Sequence, residues 1–188
     1  MTPVRYHRIA IILHWVMALC ILLMLASGLA MTTQDLLEKA LRFSMYQWHK
    51  SLGVLLLWAV FLRLLIRLRF APPPLPASMK PLEQKAAHAG HWALYALMLA
   101  MPLTGWMVVS SSVSGLPTLV FGWFTWPHLP GLAGSSEAHE FAEEAHEILA
   151  WVLMLAIAGH VAAVIKHYVV EKENLLPRMG IGKPKDHP

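Results

Sequence analysis

The chain has 188 residues, of which 57% are hydrophobic and only 14% charged. An ordinary water-soluble domain carries roughly a quarter charged residues, so this composition excludes one and points to the bilayer as solvent. A single cysteine, Cys20, excludes an internal disulfide, a Cys-x-x-Cys-His haem attachment and any multi-thiolate metal site. The formal charge is +4, and the eleven histidines are the remaining good metal ligands.

Four segments are apolar enough to cross a hydrocarbon core, which needs about 20 helical residues. The first covers about 9–31 and has no acidic or basic residue. Arg5 and Arg8 before it also suit a cleaved signal peptide, but the apolar run is too long for one. The second covers about 47–67, with Arg63, Arg67 and Arg69 at its far end. A proline-rich linker, 71–81, follows and cannot be helical where prolines succeed one another. The third span covers about 87–111. An outer loop over 112–145 holds Phe121, Trp123, Phe124 and Trp126, rings that suit a headgroup layer. The fourth span covers about 146–168. The expected fold is therefore an all-α, integral membrane four-helix bundle, a single membrane domain over 1–188.

Charge sets the expected orientation. Twelve of the fifteen basic residues fall at the ends that carry the termini and the proline linker, Lys183 and Lys185 among them. Lys39, Arg42 and Lys50 alone fall on the other side. By the positive-inside rule both termini are cytoplasmic, and Glu137, Glu140, Glu143 and Glu144 face outward. The basic residues flank spans and form no separate patch, so membrane lipid is the expected partner and nucleic acid is not.

A histidine inside a membrane is costly unless its nitrogens have partners, which makes intramembrane histidines functional candidates. His146 and His160 lie 14 residues apart on the fourth span, on nearly one face, with a rise of about 21 Å between them. The second span starts outside, so His49 lies level with His146; the first starts inside, so His14 lies level with His160. Two bis-histidine pairs suit two haem b groups, because a haem asks the protein for only two axial ligands. Gly53, one turn after His49, and Gly159 would let a porphyrin approach the backbone. The alternative is four core histidines bonded across helices.

Arg8, Arg63 and Arg67 lie where inner-haem propionates would emerge, and equally satisfy the positive-inside rule. His88 and His91, at the inner end of the third span, suit a quinone site, a propionate partner, a competing haem ligand or simple interfacial placement. Met24, Met98, Met101 and Met154 read as packing residues. His139 with Glu140 and Glu143 resembles a zinc motif but reads better as a solvated acidic face.

Beyond these residues lies a wider pattern. His14-Trp15, Trp48-His49-Lys50-Ser51-Leu52-Gly53, Arg63-Leu64, His88 and His91 before Leu94-Tyr95, Pro102-Leu103-Thr104-Gly105, His146-Glu147, Gly159-His160-Val161-Ala162-Ala163 and Lys166-His167-Tyr168 resemble the bacterial cytochrome b561 family over nearly the whole chain. The resemblance implies a di-haem cytochrome of the bacterial inner membrane and its respiratory chain, with His49 and His146 on the outer haem and His14 and His160 on the inner. It also implies an oxidoreductase passing electrons to ubiquinone from superoxide or a periplasmic electron-transfer protein. His167, Lys166 and His91 are the expected proton donors at the quinone site. Two departures stand out: Tyr168 replaces a further histidine of some members, and the outer loop lacks Lys and Arg. The competing functions are an electron conduit for a separate dehydrogenase or hydrogenase, and a histidine-based metal transporter.

Overall fold

The computed structural model describes residues 5–33 and 38–182; Lys183 and Lys185, counted above, lie outside them. Four long helices form the bundle: α1 (Arg8–Thr32), α2 (Lys39–Arg69), α3 (Pro81–Ser111) and α4 (Ser136–Val169). Each is long and apolar enough to cross a membrane. Little of any apolar stretch is buried within the chain, and large side chains such as Leu65, Leu155 and Ile165 point outward, as helices that are apolar all round do in lipid. The protein is thus an all-α membrane four-helix bundle.

Local chemistry sets the helix ends. Pro81 opens α3, where its missing N–H is no loss, and the Glu83 carboxylate accepts from the Lys80 backbone N–H at 3.1 Å. The Ser135 hydroxyl accepts from the Ala138 N–H to start α4. Residues 136–145, read above as outer loop, are helical, and α2 begins two turns before the expected span.

A short antiparallel ribbon, β1 (Thr118–Val120) and β2 (Phe124–Trp126), lies in the loop between α3 and α4. Its turn places Phe121 and Gly122 at positive φ, 49° and 76°, and closes with Trp123 N–H to Val120 O at 3.0 Å. Ser51 of α2 anchors it, its hydroxyl lying 3.2 Å from Leu119 O and accepting from Phe121 N–H at 3.0 Å.

The packing is uneven. α4 lies closely along α3, and α2 packs on both α1 and α3, but α4 stays apart from α1 and α2. A core of Met17, Leu56 and Val60 joins α1 to α2. The space left beside α4 is a slot down the bundle, and histidines reach across it.

At one end of the bundle the segments before α1, between α2 and α3, and after α4 tie together. Tyr6 N–H donates to Arg178 O at 3.2 Å, the Arg5 guanidinium to Gly182 O at 2.9 Å, and Arg178 to Pro74 O at 2.5 Å.

Candidate haem sites

His49 of α2 and His146 of α4 face each other across the slot with ring centroids 6.4 Å apart and planes crossed at 76°. Two imidazoles bound to opposite faces of one iron, at about 2 Å per bond, would hold their centres roughly 6.3 Å apart. Protonation agrees with that use. His146 Nδ1 lies 3.1 Å from Met101 O, which can only accept, so Nδ1 carries the proton and Nε2 keeps its lone pair. Thr104 Oγ1 stands 3.0 Å from the same nitrogen. His49 Nδ1 is 3.0 Å from Ser27 Oγ, whose own proton goes to Met24 O at 3.0 Å. Both rings are therefore oriented from behind, as haem-ligating histidines are.

A cavity of about 770 Å³ surrounds this pair, within the usual range of cofactor sites. Gly28, Gly53 and Gly105 line it. A Cβ at Gly105 would lie 3.1 Å from His146 Cε1, so this glycine makes room for the ring, while one at Gly28 would make an ordinary 3.7 Å contact with His49 Cε1. Gly53, singled out for a close porphyrin approach, lines the cavity opposite Met24, while Gly159 has open space beside it. Thr118 and Trp126 from the ribbon, Thr32, Tyr46, Lys50, and Glu140, Glu143, Glu144 and Glu147 add polar groups to the lining.

The inner level repeats the spacing with different surroundings. His14 and His160 also stand 6.4 Å apart, at 67°. Here, however, Arg63 Nη2 lies 3.0 Å from His14 Nδ1. A guanidinium can only donate, so His14 holds its proton on Nε2, the opposite tautomer to that needed for ligation through Nε2. Arg63 Nε is buried without a partner, as fits an arginine awaiting an anion. His91 joins this level, 5.8 Å from His160.

The other expected site residues scatter. Arg8 is exposed at the start of α1 and forms no hydrogen bond or ion pair among the described residues. Arg67 lies over the rings of Trp92 and Tyr95, at 5.7 and 5.6 Å. Lys166 and His167 meet through Glu171, with Lys166 Nζ 2.7 Å and His167 Nδ1 2.5 Å from its carboxylate oxygens. Lys166 also reaches Glu83. His91 stands with the inner pair, so the three expected proton donors divide between two places. His88 is exposed. At the ribbon end of the bundle His139 contacts Val108 O and Glu143, and no cluster of three or more metal-ligating side chains occurs among the described residues.

The family profile of prokaryotic cytochrome b561 matches residues 5–182. The chain belongs to that family. It is 37% identical to cytochrome b561 homolog 2 of Escherichia coli (strain K12), over 97% of this chain and 94% of the relative. It is 28% identical to a probable superoxide oxidase, CybB, of Yersinia pestis, over 93% and 95%, and equally identical to cytochrome b561 homolog 1 of E. coli. The protein is accordingly a multi-pass bacterial membrane cytochrome of electron transfer, and the family implies b-type haem.

Sequence reasoning missed Ser27, Thr104, Gly105 and Gly28. Thr104-Gly105 stood in a matched motif without a role, and Ser27-Gly28 lay inside an apolar span with nothing to set them apart.

Proposed function

We propose that the protein is a di-haem oxidoreductase that carries electrons from a donor at its outer face to ubiquinone at the opposite face, where the termini are cytoplasmic. His49 and His146 hold the outer haem b, and His14 and His160 the inner. The observation that carries this reading is the pair of 6.4 Å histidine spacings in one slot, both closed by α4. Haem supplies a one-electron carrier at each level.

The chain's own groups do the rest. Ser27, Thr104 and Met101 O hold the outer rings in the ligating tautomer. Arg63, which here donates to His14 Nδ1, would instead pair with a haem carboxylate in the loaded protein, and Arg8 would contribute positive charge at the same end. Gly53 leaves width for the macrocycle. At the quinone end His167, 8% exposed and held by Glu171, and Lys166 supply protons, with His91 beside the inner pair as a relay.

A specific observation bears on the donor. Four glutamates, Glu140, Glu143, Glu144 and Glu147, line the outer cavity against one cation, Lys50. This lining favours a positively charged periplasmic electron-transfer protein over superoxide. The test is a reduced-minus-oxidised spectrum with a haem count on the purified protein. Two b haems per chain are expected, one lost in His49→Ala and the other in His14→Ala, and His167→Ala keeping both but slowing reduction of a ubiquinone analogue. Absence of Soret absorption would overturn the reading, and unchanged quinone turnover in His167→Ala would overturn its proton-donor role.

A further inference from the structure

Two polar groups of the ribbon are left unpaired beside the outer cavity. Thr118 is 1% exposed and its Oγ1 has no hydrogen-bond partner; Trp126 Nε1 is likewise buried and unpartnered. The two residues are directly opposite each other in the β1–β2 register, and both line the cavity that holds His49 and His146. Of the groups nearby, Trp106 Nε1 donates to Pro127 O at 2.8 Å and Ser110 Oγ accepts from Leu129 N–H at 2.9 Å, while His128 Nε2, which does not line this cavity, is also buried without a partner. A buried donor without a partner loses its hydration with nothing in return, so a pair of them at one cross-strand position points to a missing acceptor.

The cavity wall says which kind. An indole N–H can only donate, and a threonine hydroxyl beside it can do the same. Lys50, whose ammonium has only a weak 3.5 Å contact to Pro117 O, adds a cation on this wall. The opposite wall, on α4, presents Glu140, Glu143, Glu144 and Glu147. The donors thus stand together, across from carboxylates that would repel an anion. Most of the remaining lining, including Leu56, Leu57, Val60 and Leu153, is apolar.

We propose that Thr118 Oγ1 and Trp126 Nε1, with Lys50, bind a propionate carboxylate of the outer haem, so that the ribbon is a carboxylate clasp. This rests on the haem reading above. The clasp is fixed to the ligand helix by Ser51, two residues after His49, which sets the height of carboxylate and axial imidazole together.

Resonance Raman spectra of the purified holoprotein test this, because the propionate bending mode reports hydrogen bonding to the carboxylate. Thr118→Val and Trp126→Phe should each keep two haems, shift the bending mode of one of them, and speed its loss to a haem-scavenging apoprotein roughly ten-fold. Thr118→Ser, which keeps the hydroxyl, should restore both readouts. An unchanged mode and loss rate in Thr118→Val and Trp126→Phe would overturn the clasp alone. Should Thr118→Val lose the haem altogether, retention in Thr118→Ser supports the clasp and equal loss overturns it. A wild-type protein without haem would overturn the function instead.

Discussion

Each histidine of the outer pair depends on what stands behind it. His146 is held by Met101 O and Thr104 Oγ1 on one side and has Gly105 against its Cε1 on another. An alanine methyl at Gly105, 3.1 Å from that carbon, must push the ring, and the two contacts at Nδ1 resist the push. Overpacking of this kind costs about 1–3 kcal/mol, so on the proposed two-haem reading Gly105→Ala should retain the haem at His49 and His146 roughly ten-fold less tightly while the other stays, as read by haem per chain and the Soret band. The four histidines were legible in sequence because an imidazole in lipid demands a reason. The partners were not, because Ser and Thr in apolar helices commonly bond their own preceding turn and look alike whether or not they do more. Thr104 bonds Ala100 O and Met101 O in that way and also contacts His146. Nor was the Arg63 contact that sets the His14 tautomer, which depends on how α2 is rotated against α1.

The helices were legible for a related reason: length and absence of charge are all a membrane span requires. What hydropathy obscured is the water-exposed start of α4, where Glu137, Glu140, Glu143 and Glu144 make a helix read as a polar loop. Nor do strands of three residues carry an alternation to detect, and the ribbon's place comes from Ser51 on another helix. The turn that leaves α4 is held in part by charge, while the segment beyond it is tied by hydrogen bonds to backbone carbonyls. Hydrogen bonds from Lys166, then His167, keep the Glu171 carboxyl below its ordinary value of 4.5. A lowered carboxyl value means that the tie is at full strength above about pH 4.5 and is lost as pH falls through the folded-state value beneath it. Hydrogen exchange across residues 170–174 should therefore accelerate on acidification below that range. In Glu171→Gln the same segment should exchange fast already at neutral pH and respond little to acid; an acid response unchanged from wild type would place the tie elsewhere.

Across the whole molecule, net charge and the lining of the His49–His146 cavity oppose each other. The net charge is +4, yet the cavity that opens beside the outer histidines is lined by four glutamates and one lysine. Field lines from carboxylates at a low-dielectric opening are focused outward, so a small anion is repelled there although the protein as a whole is cationic. Salt screens such repulsion over about 10 Å at 0.1 M. If superoxide is offered as donor, its rate of haem reduction should rise with ionic strength, and Glu143→Gln with Glu144→Gln should raise it several-fold at low salt. A cationic donor protein should show the reverse on both counts. Stopped-flow reduction at two salt concentrations separates the cases. A superoxide rate that falls with salt would mean that Lys50, with Lys39 and Arg42 nearby in sequence, outweighs the glutamates at the point where electrons enter.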